Sequence, residues 1–247
     1  MDRMVYLAMA GAKESMLAQA VHTHNLANAN TPGFRAELAA LRSQPVFGPG
    51  HASRVYAMTE RPGVDFAFGS VQQTGRELDV AVKGDGWIAV QTPNQTEAYT
   101  RAGDLRLTPN GMLTTAAGQP VLGDAGPIAI PPVEKIEIGA DGTISIRPRG
   151  QGPATLAVVN RIKLVNPPLD DLYKGEDGLL RMHSGEALPP DGRVRLVVGA
   201  LEGSNVNTVE AMVSMIERAR HFEMQVKLMH TADTNDRAST DLMRIST

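Results

Sequence analysis

The chain contains no cysteine, which excludes disulfide scaffolds, thiolate metal sites and cysteine nucleophiles, and leaves the redox compartment open. Aromatic residues make up 4% of its 247 residues, with one Trp, so there is little material for an aromatic binding groove. It carries no excess of positive charge either. The formal net charge is −3 and no Lys/Arg-rich run is present, which argues against general binding to nucleic acid or acidic lipid, because phosphate recognition needs a concentrated positive surface. No stretch approaches 18 apolar residues, so no membrane insertion is expected. The apolar run Met4 to Ala12 has the look of a secretory signal. However, Asp2 offsets Arg3 and the run ends at Lys13-Glu14 after about two turns, so no cleaved signal is expected.

What the chain does have is turn residues, 24 Gly and 16 Pro, and their distribution divides it. From Asp2 to about Asn28 there is only Gly11. Apolar Val5, Met9, Ala12, Met16, Ala20 and Leu26 recur at helical spacing until Thr31-Pro32-Gly33 stops the pattern. From Phe34 to Gly203 short apolar runs alternate with Gly, Pro, Asp and Asn, which predicts strands. Ile136 and Ile138 face Ile144 and Ile146 across Asp141-Gly142, and Leu105 and Leu107 face Leu113 across Asn110-Gly111. Further strands are expected at 78–82, 87–90 and 194–198.

After Gly203 the helical pattern returns. Asn207 is placed to cap, with Glu210 three residues on. Met212, Met215, Ala219, Phe222, Val226 and Met229 form one coiled-coil seam that fails at Asp233 and Asp236. A helix over 207–246 would be roughly 60 Å long and the first helix roughly 40 Å. Both have narrow apolar stripes, so each needs a partner. The predicted fold class is α+β, with a β-rich middle domain (34–203) inserted between long N- and C-terminal helices. These helices pair as a coiled-coil-like domain (1–33 plus 204–247).

The residue types that carry chemistry fall into no catalytic or ligating pattern. His22 and His24 lie about 200° apart on a helix, and His221 and His230 are also out of phase, so neither pair chelates a metal. Gly84-Asp85-Gly86-Trp87-Ile88-Ala89 has the form of a dinucleotide fingerprint, but the residues after it read as strand rather than helix. Asp79, Asp85 and Asp104 sit beside Gly or within alternating strands, where turn and surface roles are expected. No catalytic residue, metal site or cofactor is assigned.

Two segments are more distinctive: Asn25-Leu26-Ala27-Asn28-Ala29-Asn30-Thr31-Pro32-Gly33-Phe34 and Leu201-Glu202-Gly203-Ser204-Asn205-Val206-Asn207. Both resemble the flagellar rod and hook proteins, in which the first ends the N-terminal helix and the second opens the C-terminal helix. Met1-Asp2-Arg3, Thr31 to Ala36, Gly84 to Trp87 and Phe222 to Lys227 look most like the proximal-rod branch of that family, with a distal-rod or hook paralogue as the alternative. The polar stretch Asp233 to Arg237 departs from the family's helix end.

The resemblance implies a structural, non-enzymatic subunit of the basal-body rod in the periplasm, exported by the flagellar type III apparatus and assembling with other rod subunits through its terminal helices. The implied subunit interface comprises Leu26, Asn28, Thr31, Pro32, Gly33, Phe34, Ser204, Asn205, Val206, Asn207 and the seam Met212, Met215, Ala219, Phe222, Val226 and Met229. Asn25, Asn28, Asn205 and Asn207 are expected to satisfy helix-end backbone groups, with or without contact to a partner. Because the seam offers only modest side chains, the helices are expected to be loosely held until assembly orders them. A periplasmic β-rich glycan-binding module is a more remote alternative.

Overall fold

The structure is a computed structural model that describes residues 2–45, 55–148 and 157–245. The elements are helix α1 (Asp2–Ala27), strands β1 (Glu37–Pro45), β2 (Val55–Val64), β3 (Val71–Gln73), β4 (Val80–Lys83), β5 (Trp87–Gln91), β6 (Glu97–Thr100), β7 (Leu105–Leu107), β8 (Leu113–Thr115), β9 (Leu122–Gly123), β10 (Gly126–Pro127), β11 (Val133–Ile138), β12 (Thr143–Pro148), β13 (Ala157–Arg161), β14 (Leu164–Val165), β15 (Leu172–Lys174), β16 (Leu180–Met182), β17 (Arg195–Val198) and β18 (Ala200–Glu202), and helix α2 (Thr208–Ile245). The expected α+β order is therefore present, with a helix at each end. Of the predicted end of the second helix, Ser246 lies outside the described residues.

The chain divides into two units. Met1–Ala27, Glu37–Gly63 and Asn207–Thr247 make up one, and Asn28–Ala36 with Val64–Val206 the other. This differs from the expected division in two respects. Residues 37–63 go with the terminal helices, because Asn25 of α1 binds the backbone of Glu37 through both of its amide atoms. Residues 28–33 and 204–206 go with the β-rich unit, because the two segments are hydrogen-bonded within it, as at Gly33 N–H to the Glu202 carbonyl, 2.8 Å.

In the helical unit α1 and α2 pack together and run antiparallel. Thr23 Oγ1 reaches Met215 Sδ at 4.0 Å near one end, while Gly11 lies against the Gln225 amide further along, where a Cβ would sit 3.0 Å from its carboxamide carbon. β1 and β2 pair only with each other.

The β-rich unit holds the apolar core. Its largest sheet has the order β14-β5-β6-β16-β15, and β11-β12-β13 form a second. The predicted hairpin has the expected register, Ile136 opposite Ile146 and Ile138 opposite Ile144. These residues pack with Val80, Ile88, Val90, Leu105, Leu113, Val121, Ile128 and Ile162 in the main core. Leu107 pairs with Leu113. Gly84-Asp85-Gly86 is the turn between β4 and β5, not a strand-to-helix phosphate loop. Gly84 and Gly86 both have positive φ, and a Cβ on Gly86 would meet Val194 at 2.6 Å, so the glycines serve the turn and its packing.

Candidate assembly site

The helix pair inverts the usual arrangement of large and small side chains. On α1 the buried residues are Ala8, Ala12, Ala18, Val21 and Asn25, whereas Met4, Tyr6, Met9, Met16 and Leu17 are exposed. The predicted α1 stripe is corrected accordingly. Ala12 is buried and Val5 and Leu26 are half-buried, but Met9, Met16 and Ala20 face out. The reason is steric: residues such as Gly11 and Ala12 let the backbones approach to a distance that Met would prevent.

The α2 seam is nearer to expectation. Met215, Ala219, Phe222, Val226 and Met229 are half-buried, Ala232 extends the stripe, and Asp233 and Asp236 beyond it are exposed. Met212 is the exception, at 51% exposure, since its neighbour Ala211 takes the inner position. Val209, Val213, Ile216, Met224 and Leu228 are exposed as well. Asn207 caps α2, with Oδ1 accepting the N–H groups of Val209 (3.1 Å) and Glu210 (3.3 Å). On the helix-pair surface, burial and the neighbouring Arg218 hold His22 below its ordinary pKa of 6.5, with Glu210 pulling weakly the other way.

The β-rich unit contains a clasp built from the two distinctive segments. Thr31 N–H and Oγ1 bond the Asn28 carbonyl and Oδ1, both at 3.1 Å, and form the turn that leads to Pro32. Gly33 then takes φ +68°, and a Cβ there would lie 2.2 Å from the Arg101 carbonyl carbon, so only glycine fits. The Asn205 side chain accepts the Ala36 N–H (2.8 Å) and donates to the carbonyls of Asp65 (2.9 Å) and Ala67 (3.1 Å), which is the hydrogen-bonding of a strand neighbour. Ser204 Oγ accepts the Val206 N–H. Phe34, half-buried, lies under the Lys174 ammonium at 3.9 Å, and the same ammonium donates to the Arg35 carbonyl.

At the centre of the clasp is a buried charge triad. Glu202 Oε1 accepts from Arg35 Nη2 at 2.5 Å and from the Gly69 N–H at 3.0 Å, while Oε2 accepts from Arg101 Nη1 at 3.0 Å. All three side chains are 2–3% exposed. Two cations share one carboxylate, and the surplus charge rests on aromatic faces. The Arg101 guanidinium lies 4.9 Å from both the Trp87 and Phe68 rings, and Arg35 lies 5.7 Å from Trp87. Burial lowers the Arg101 pKa, which Glu202 opposes. Arg101 Nη2 also donates to the Gly84 carbonyl at 2.7 Å, which ties the Gly84-Asp85-Gly86 turn to the clasp.

Part of the clasp and most of α2 lie in regions that family models match. Residues 81–146 match the flagellar hook protein FlgE/F/G D1 domain, and residues 197–242 match the flagellar basal body rod FlgEFG protein C-terminal family. The flagellar basal-body rod protein FlgF of Salmonella typhimurium is 44% identical over the full length of both chains. The chain belongs to the FlgF family of flagellar basal-body rod proteins. FlgF of Caulobacter vibrioides is 32% identical, again over both full lengths, and the basal-body rod protein FlgG of Bacillus subtilis is 32% identical over 94% of this chain and 96% of its own. Membership of the FlgF family makes this chain a structural component of the flagellar basal-body rod. The D1 match contains Trp87 and Arg101, and the C-terminal match contains Glu202, Asn205 and most of α2.

The structure brings Asn28, Thr31, Gly33, Phe34, Ser204, Asn205 and Val206 together in one clasp. Arg35, Arg101 and Glu202 are the residues that sequence reasoning passed over. Arg35 and Glu202 stood inside the distinctive segments, but nothing in the sequence paired them with Arg101. No helix is long and apolar enough to cross a membrane, and no metal-binding cluster occurs among the described residues.

Proposed function

We propose that this chain forms part of the proximal rod, joining neighbouring rod subunits through its terminal helices after export by the flagellar type III apparatus without a cleaved signal. Its role is mechanical and involves no catalysis. The observation that carries this reading is the inverted helix pair. The pair buries Ala8, Ala12 and Ala18 on α1 while Met9, Met16, Val213 and Ile216 stand in water, and exposed apolar side chains that gather on one element mark an interaction surface. Covering that surface with other subunits supplies stabilisation that the small-residue contact cannot, at about 25 cal/mol per Å² of apolar surface buried. Met212, expected in the inner seam, belongs in this reading to the outward surface. Met215, Ala219, Phe222, Val226 and Met229 act by holding the pair together. The residues of the clasp act by fixing the backbone.

The test is deletion of residues 230–247 in a cell that lacks its own FlgF, with export and rod incorporation scored separately. The truncated chain is expected to be exported but not incorporated. Normal incorporation without that segment would refute its role in assembly. An N-terminus processed after export would overturn the uncleaved-signal part of the proposal.

A further inference from the structure

The strands β1 and β2 form a sheet of their own, and most of their described side chains are exposed, with Leu38, Val55 and Met58 among them. A two-stranded ribbon without a buried face is marginally stable in water at best, so its order must come from what it is fastened to. One fastening within its unit is Asn25, in the last turn of α1 and 6% exposed. Its Nδ2 donates to the Glu37 carbonyl at 2.8 Å, and its Oδ1 accepts the Glu37 N–H at 2.9 Å. One residue of β1 thus receives from a helix side chain the pair of hydrogen bonds that an antiparallel strand would have provided. His24 Nδ1 adds a contact to the Glu37 carboxylate at 3.3 Å, half in solvent.

We propose that Asn25 is the latch of a β-strap, coupling the order of the ribbon to the helical state of the last turns of α1. The carboxamide is aimed at Glu37 by the helix, so a chain in which these turns are unfolded has no preformed site for β1, and the ribbon follows α1 into order. The coupling is a property of the fold and does not depend on the rod reading.

Hydrogen exchange followed by mass spectrometry on the full chain tests it, with N25A, N25D and H24A beside the parent. In the parent the ribbon amides at 37–45 and 55–63 are expected to be protected. In N25A they should exchange roughly ten- to hundredfold faster, the range set by losing two hydrogen bonds at a buried amide. N25D keeps the acceptor but sets a carboxylate oxygen against the Glu37 carbonyl in a buried site, and should exchange at least as fast as N25A. H24A should stay close to the parent. Protection in α2 and in the β-rich unit should be unchanged throughout. The proposal is overturned by a ribbon equally protected in N25A, by a parent in which the ribbon and the last turns of α1 differ in protection, or by loss of protection in α1 and α2 in both N25A and N25D. The last result would make Asn25 a support of the helix pair and not a latch.

Discussion

Replacing Glu202 by Gln preserves the shape of the clasp and removes the carboxylate bonded to two buried guanidiniums. Arg35 and Arg101 would then face each other across a neutral amide, and Arg35 Nε and Nη1 and Arg101 Nε are already buried without hydrogen-bond partners. Breaking a buried ion pair from one side costs about 3–5 kcal/mol. With two cations orphaned at once, the upper part of that range is expected. For a unit of this size each kcal/mol moves the midpoint by roughly 2–4 °C, so Tm should fall by roughly 10–20 °C. Trp87 is the single tryptophan, 3% exposed, with both guanidiniums close to its ring, so its fluorescence reports directly on the clasp. A urea titration of the parent and Glu202→Gln chains should show a lower midpoint at unchanged slope. The control is Glu137→Gln, which breaks the exposed pair with Lys135 at 2.7 Å in the same unit and should cost under about 1 kcal/mol. If Glu202→Gln costs no more than Glu137→Gln, the triad does not hold the clasp.

Other consequences can be checked with the same probes. Gly33→Ala should destabilise the β-rich unit by roughly 2 kcal/mol or more, because the new Cβ meets the Arg101 backbone and φ is +68°. The depressed His22 pKa has a defined sign: as pH falls the unfolded chain takes up this proton before the folded one does, so the helical unit loses stability from about pH 6.5 downward. Thermal melting by circular dichroism at pH 7.5 and 5.5 should show the loss, and His22→Gln should reduce it. Asn207→Ala removes the α2 cap and should cost about 1 kcal/mol of helix stability. Ala18→Leu, at a position only 1% exposed, should destabilise the unit by about 1–3 kcal/mol through overpacking. Met16→Ser, on the outer face, should leave the monomer's melting unchanged and reduce rod incorporation in cells.

The strand pattern was legible because alternation and turn chemistry act locally. Asp141-Gly142 and the four isoleucines around it needed no distant information, and neither did the Asn207 cap. The helix faces were only half legible. On α2 the 3-4 spacing of Met215, Phe222, Val226 and Met229 pointed to the inner face. On α1 the large apolar residues Met9 and Met16 stood out, but the buried positions are Ala8, Ala12 and Ala18. Hydrophobic periodicity ranks Met above Ala, whereas a close antiparallel contact ranks them the other way. Asn25 had been expected to satisfy a helix end, but its carboxamide bonds β1 instead. The triad was out of reach for a simpler reason: residues 35, 101 and 202 share no spacing rule, and only the folded chain brings them together.

The buried alanines of α1 have one further effect. A methyl group has no rotamers, so no side chain at Ala8, Ala12 or Ala18 can swing aside to absorb a change in packing, and the buried side of α1 is stiff. The methionines on the other side have three rotatable bonds each and repack at little cost. One helix thus carries two mechanical properties, a stiff buried side and a compliant exposed one.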